Sequence, residues 1–164
     1  MTDDCQAWIE HCVKSYPCSG KVLETGSYNV NGTPRIHFTD HQRFPGYTGI
    51  DMREGPCVDI VMNSQELDFP DETFGVIVDT ERMEHDNRFW LTIAEQFRVL
   101  KPGGHIFITT RSWAGFPPHD FPSDYWRFMD NGIKDILEYA GFECLATAYG
   151  ESDRAVFGAG RKPE

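Results

Sequence analysis

The run at residues 75–79 (GVIVD) constrains this chain most. Val76, Ile77 and Val78 are three consecutive β-branched residues with no polar residue among them. A strand built from them must be covered on both faces, as strands in the middle of parallel sheets are. Parallel strands in turn need crossover connections. The clearest helix follows at once. Asp86 or Asn87 is placed to cap it, and Phe89, Trp90, Ile93, Ala94, Phe97 and Leu100 form one apolar stripe at helical spacing. Lys101-Pro102-Gly103-Gly104 is expected to end it, and residues 105–110 (HIFITT) to form the next strand.

The alternation extends both ways along the 164 residues. A first helix from Asp3 to about Ser15, after a Thr2/Asp3 cap, aligns Trp8, Ile9, Cys12 and Val13 and stops at residues 17–20. Residues 21–25, 47–51 and 58–62 read as the first three strands. After the aromatic loop, Asp130 is placed to cap a helix with Ile133, Ile136, Leu137 and Ala140 inward and Gly141 at its end. Residues 143–149 and 155–160 read as a hairpin about a turn at 150–153. The prediction is an α/β fold, a Rossmann-like doubly wound and mostly parallel sheet with helices on both faces and a C-terminal antiparallel hairpin. It is expected to be one domain over 1–164, with 1–20 as the N-terminal helix and 111–127 as a lid loop.

In such sheets ligands bind outside the carboxyl ends of the strands, so the residues there decide the chemistry. Glu24 and Gly26 follow the first strand, Asp51 ends the second, Asn63 and Ser64 follow the third, and the fourth leads into Asp79-Thr80-Glu81. An acid at the second strand end suits the two hydroxyls of a ribose, and the set as a whole suits a nucleoside. A dinucleotide site needs G-x-G-x-x-G after the first strand. Here the loop reads Gly26-Ser27-Tyr28-Asn29-Val30-Asn31-Gly32, which lacks the two later glycines.

With 15 Lys and Arg against 26 Asp and Glu, the net charge is -11. This charge disfavours a nucleic-acid partner and suits a cationic ligand. The five cysteines are odd in number and form no C-x-x-C pair, so they read as reduced packing residues, and no metal site is expected. No apolar run approaches the ~20 residues of a membrane span. The opening Met-Thr-Asp-Asp-Cys has no signal-peptide pattern, so the expected location is the cytoplasm.

The segments VLETGSYNVNG, YTGIDMREG, DIVMNSQELDFPDETFGVIVDTERMEHD and FRVLKPGGHIFITT resemble the class I S-adenosylmethionine-dependent methyltransferases, in particular the broad type 11 group. HDFPSDYWRF is similar to a lid loop of such enzymes. The resemblance implies S-adenosylmethionine as cofactor. It puts Glu24 and Gly26 at the methionine portion, Ser27 and Tyr28 among the cofactor-binding residues of the same loop, Asp51 at the ribose, Met52 on the adenine and Asn63 and Ser64 at its edge. Thr80 and Glu81 line the floor near the reactive methyl. Tyr28 departs from the family's E-x-G-x-G. A tyrosine there meets a steric cost at positive φ, unless Asn29, Asn31 and Gly32 send the loop along another path.

Methyl transfer to an oxygen or nitrogen needs alignment and a destination for the acceptor's proton. His85, His119 and Tyr125 are the catalytic candidates, with Asp120, Asp124 and Glu81 as further proton acceptors. Arg111 and Arg127 flank the aromatic loop and suit an anionic acceptor or the surface. No Asn/Asp-Pro-Pro-Tyr motif is present. The expected reaction is methylation of a small molecule or sugar-like metabolite. The alternative is a non-catalytic cofactor-binding module or activator subunit, and a homodimer or a partner subunit fits either.

Overall fold

A computed structural model of the chain describes residues 1–114, 117–118 and 123–164. Its elements are α1 (Asp3–Ser15), β1 (Val22–Thr25), β2 (Tyr47–Asp51), β3 (Ile60–Val61), β4 (Phe74–Thr80), α2 (Phe89–Val99), β5 (Leu100–Arg111), α3 (Asp130–Tyr139), β6 (Glu143–Tyr149) and β7 (Ala155–Arg161). Seven strands form one sheet in the order β3-β2-β1-β4-β5-β7-β6. The first five are parallel, while β7 runs antiparallel between β5 and β6. This is the Rossmann-like α/β fold the sequence predicts, with the hairpin at one edge.

The period of two along the strands divides the core into two layers. Val22, Val76, Val78, Phe107 and Ala159 pack with Ile9, Cys12 and Val13 of α1. Leu23, Ile77, Ile106, Ile108 and Val156 face the other way, with Ile93 of α2 and Ile133 and Leu137 of α3. All seven residues of β4 are buried, as its composition requires. Cys5, Cys12 and Cys18 are buried as well.

Four details differ from the sequence reading. The third strand shrinks to Ile60–Val61 and is exposed at the sheet edge. One residue earlier, Asp59 accepts from Gly49 N through its carboxylate (2.7 Å) while its own N–H donates to Gly49 O (2.8 Å), so a side chain takes a ladder position. The Lys101–Gly104 stretch lies inside β5 rather than before it, with Gly103 at φ +73° and a register shift between Phe74 and Val76 on the partner strand. Helix α2 starts at Phe89 because the Asp86 carboxylate is engaged below it by Arg82 and Thr92. Asp130 does not cap α3; its carboxylate accepts from Tyr149 Oη at 3.0 Å.

Between β1 and β2 the chain forms only a short 3-10 turn, Pro34–His37, and it has no helix between β2 and β4. The sheet is therefore least covered beside β2 and β3, next to the strand ends of the predicted site.

Replacement of Ile77 by alanine removes a fully buried side chain from the central strand. It is expected to lower the unfolding free energy by about 2–5 kcal/mol. Urea denaturation should show this as a lower midpoint with an unchanged slope.

Candidate functional site

The strand order reverses between β1 and β4, and a crevice opens outside the carboxyl ends at such a reversal. Here it is a cavity of about 890 Å³. All ten residues assigned to cofactor binding from sequence line it: Glu24, Gly26, Ser27 and Tyr28 after β1, Asp51 and Met52 after β2, Asn63 and Ser64 after β3, and Thr80 and Glu81 after β4. His85 and Tyr125 line it too. His119 and Asp120 lie outside the described residues.

Parallel register brings the β1 and β2 ends level, with Thr25 opposite Ile50, and the amides of Gly26 and Ser27 both donate to Ile50 O. Gly26 has φ +82°, and a Cβ there would come within 2.9 Å of Arg82 Cβ, so only glycine fits. Tyr28 does not take positive φ; in this loop only Gly26 and Gly32 do. The loop follows the other path, with Asn29 Oδ1 accepting from Gly32 N at 2.8 Å. The Tyr28 ring lies against Gly55, where a Cβ would be 2.1 Å from Cε2, and under the Arg53 guanidinium at 5.0 Å. Ser27 Oγ is buried without a hydrogen-bond partner among the described residues.

Glu24 is 2% exposed, and its Oε2 accepts from Tyr47 Oη at 3.0 Å. Burial pushes its carboxyl up to about 7, although Tyr47 and Arg35 pull the other way. Asp51 accepts from Arg53 N at 3.1 Å and, with a longer contact of 3.4 Å, from Tyr28 N. Met52 is 70% exposed, a flexible apolar surface beside that carboxylate. Asn63 Oδ1 accepts from Gln65 N at 3.0 Å, and the Ser64 hydroxyl is shared with Thr92 at 3.3 Å. Ser64 therefore presents less polar capacity to the cavity than its sequence position implies.

The floor is ionic. Arg82 is held between Asp79 and Asp86, with a shortest contact of 2.5 Å to each. Gln96 Nε2 donates to both Asp79 (2.6 Å) and Thr25 (2.8 Å), which ties α2 to the ends of β4 and β1. Beside this, Arg111 lies 2.8 Å from Glu81 and 3.6 Å from Glu84. Glu84 is fully buried and accepts from the Thr110 hydroxyl at 2.7 Å. Burial and the nearby Glu81 charge push its carboxyl up to about 8. Glu81 is one of four non-glycine residues at positive φ (+51°) among the described residues, and its amide donates to Thr109 O. Backbone strain at a cavity-facing acid is a feature of functional positions.

His85 Nδ1 lies 2.5 Å from Ser123 O, so that nitrogen carries the proton; Nε2 lies 3.8 Å from Glu84 Oε1. The Glu84 carbonyl accepts from Tyr125 N at 2.8 Å, and Trp126 Nε1 donates to Asp86 O at 2.9 Å. Trp126 also packs edge-on against Phe89 and Trp90. The last turn of the loop is thus fastened to the floor, and Arg127 pairs with Asp124 outside the cavity lining.

Arg82 and Glu84 were not anticipated as site residues, and Arg111 only as a flanking charge. The spacing Asp79-x-x-Arg82-x-x-x-Asp86 was a readable signal for the first of these.

Residues 38–108 match the family described as "Methyltransferase domain". A probable S-adenosylmethionine-dependent methyltransferase of Mycolicibacterium smegmatis is 32% identical over 101 residues, which are 59% of this chain and 37% of the relative. Burkholderia thailandensis 1,6-didemethyltoxoflavin-N1-methyltransferase, solved with 1,6-didemethyltoxoflavin and S-adenosylhomocysteine, superimposes with a TM-score of 0.75. It is 18% identical, and the match covers 99% of this chain and 78% of that one. The chain is similar to the class I S-adenosylmethionine-dependent methyltransferases over this stretch and shares their fold. The cofactor that this similarity supports is S-adenosylmethionine, which the Mycolicibacterium relative is named for. A methyltransferase-fold chain of Haloferax volcanii, solved with the Trm112 methyltransferase activator, superimposes with a TM-score of 0.76 at 14% identity over 99% of this chain and 91% of that one. The chain spans about two fifths of the length of the curated relatives it matches. Among its described residues, no helix is long and apolar enough to cross a membrane.

Arg82→Met leaves Asp79 and Asp86 buried without their cation. The expected loss is about 3–5 kcal/mol of stability, read by chemical denaturation. Glu24 and Glu84 both have raised carboxyl values in the folded protein. Each therefore contributes stability that is complete below the ordinary carboxylate range and lost as pH rises through about 7 and about 8. The melting temperature of the ligand-free protein should fall between pH 5 and 8, and Glu84→Gln should flatten the upper part of that fall.

Proposed function

We propose that the chain is an S-adenosylmethionine-dependent methyltransferase that acts on an oxygen or nitrogen of a small molecule. One observation carries the reading: the ends of four successive strands place ten residues of matching chemistry around a single cavity. Its volume, about 890 Å³, is within the range of small-molecule sites. The cavity also fits the cofactor in detail. Gly26 lets the loop turn tightly beneath Arg82 at the cavity wall, Ser27 Oγ is buried with no hydrogen-bond partner among the described residues, and Glu24 is a buried acid on the same wall.

Glu24, Gly26 and Ser27 are assigned to the methionine portion and Asp51 to the ribose hydroxyls. Met52 is assigned to the adenine face, Asn63 and Ser64 to its edge, and Tyr28 to the side wall. Thr80 and Glu81 form the floor beneath the methyl group. The bound cofactor supplies an electrophilic methyl carried by a sulfonium leaving group. The chain aligns the acceptor and provides for its proton. His85, fixed through Nδ1 by Ser123 O, is a candidate to take it, and Tyr125 stands at the same wall. His119 remains a candidate from sequence.

The runner-up, a binding module without turnover, drew support from Tyr28. That support weakens, because the tyrosine avoids positive φ and lies against Gly55. The Burkholderia neighbour is named for N1-methylation of 1,6-didemethyltoxoflavin, in keeping with a small acceptor here. The Haloferax complex keeps a partner subunit open as an addition to this reading.

S-Adenosylhomocysteine should bind in calorimetry with micromolar or better affinity. Asp51→Ala, if folded, should weaken it roughly ten- to a hundredfold, the loss of one charge-assisted pair of hydrogen bonds. An unchanged dissociation constant would overturn the ribose assignment. Incubation with a metabolite pool and labelled S-adenosylmethionine would then reveal the acceptor.

A further inference from the structure

The acids around the cavity are not equivalently matched. Asp79 and Asp86 share Arg82, and Glu81 and Glu84 share Arg111. Asp51 takes two backbone N–H groups. Glu24 alone among these has no ion pair within the described residues and receives one hydrogen bond, from the neutral Tyr47 hydroxyl. Its surroundings can be named element by element. Gly49 of β2 and Val78 of β4 flank it in register, and Tyr47 and Asp51 come from β2. Arg35 comes from the 3-10 turn and Asp59 from the residue before β3. Arg35 is the cation whose charge acts on Glu24, but it is committed to Asp59 at 2.5 Å and lies over the Tyr47 ring at 4.6 Å. The two acids and one base around Glu24 therefore leave it without a counter-ion. A carboxyl that is 2% exposed under these conditions holds its proton.

We propose that Glu24 holds its proton in the ligand-free protein up to about neutral pH, and that the ammonium group of the bound cofactor displaces this proton. Glu24 thereby selects ligands with a cationic amino-acid end. The inference rests on the methyltransferase reading and adds to it an exchange of charge. In the step, the carboxyl O–H bond breaks, its electron pair stays on the carboxylate and the proton passes to buffer. The ligand keeps its three ammonium N–H bonds and becomes the counter-ion that the protein lacks. Burial that pushes the carboxyl to about 7 sets the range over which the exchange is visible. The sign follows from linkage: a group protonated when free and ionised when bound weakens binding as pH falls, by up to about tenfold per unit.

The test is isothermal calorimetry on the wild-type chain with S-adenosylhomocysteine, in two buffers of different ionisation enthalpy. At pH 6 the difference in heat should report release of close to one proton, and release should vanish by pH 8.5. The dissociation constant should rise roughly twentyfold from pH 7.5 to 5.5. 5′-Methylthioadenosine, which lacks the amino-acid end, should bind with no proton release and a flat pH profile. Glu24→Gln should bind S-adenosylhomocysteine without proton release and 5′-methylthioadenosine as the wild type does, which also shows that its site is folded. Equal heats in the two buffers at pH 6, with S-adenosylhomocysteine bound, would overturn the inference without the variant and leave the methyltransferase reading standing. Proton release that persists in Glu24→Gln would overturn it as well. Failure of both nucleosides to bind at millimolar concentration would instead remove the methyltransferase reading, and this inference with it.

Discussion

Arg82 is the hinge on which the site is built. Its guanidinium lies between a carboxylate at the end of β4 and another at the approach to α2, while the Asp79 carboxylate also accepts from Gln96, which reaches Thr25. One buried cation thus fixes the ends of two central strands and the start of a helix relative to one another. The same side chain lies against Gly26, so the first loop has only one way to leave β1. A buried ion pair of this kind adds little net stability compared with an apolar replacement of equal volume. Its effect here is geometric, because alternative arrangements leave a charge in the core without a partner.

Much of the scaffold was legible because it depends on periodicity. Residues 47–51 were read with the strand limits the structure has, since Gly46 and the acidic end punctuate them. Residues 75–79 were read as a fully covered strand for the same reason that all of β4 is buried. What periodicity cannot reveal is where a side chain competes with the backbone. Asp59 shortens β3 by occupying a ladder position, and Asp86 delays α2 because it is already bonded to Arg82, Thr92 and Gln65. In the sequence Asp59 reads as an interior residue of a strand over 58–62 and Asp86 as a helix cap.

The site divides in the same way. Residues just past a strand end were found because topology brings such positions together, whatever the loops do. Glu84 and the pairing of Arg111 were missed because a charged residue in a sequence reads as surface until a partner is visible, and their partners lie 26 or more residues away. Tyr28 shows the reverse case. A family expectation of glycine raised a steric objection, and the loop removes that objection by assigning left-handed backbone to Gly26 and Gly32 only.

The segment that leaves β5 begins and ends at neighbouring points. Ser112 and Phe128 form an isolated parallel bridge, and Phe128 N donates to Arg111 O at 2.9 Å. A loop whose two feet are joined by the backbone does not transmit its length to the sheet, and lengthening it has only a shallow entropic cost. The sheet therefore does not depend on how many residues separate Ser112 from Phe128. Evolution or design can change what lies between Ser112 and Phe128 while the strands and the ionic floor stay as they are.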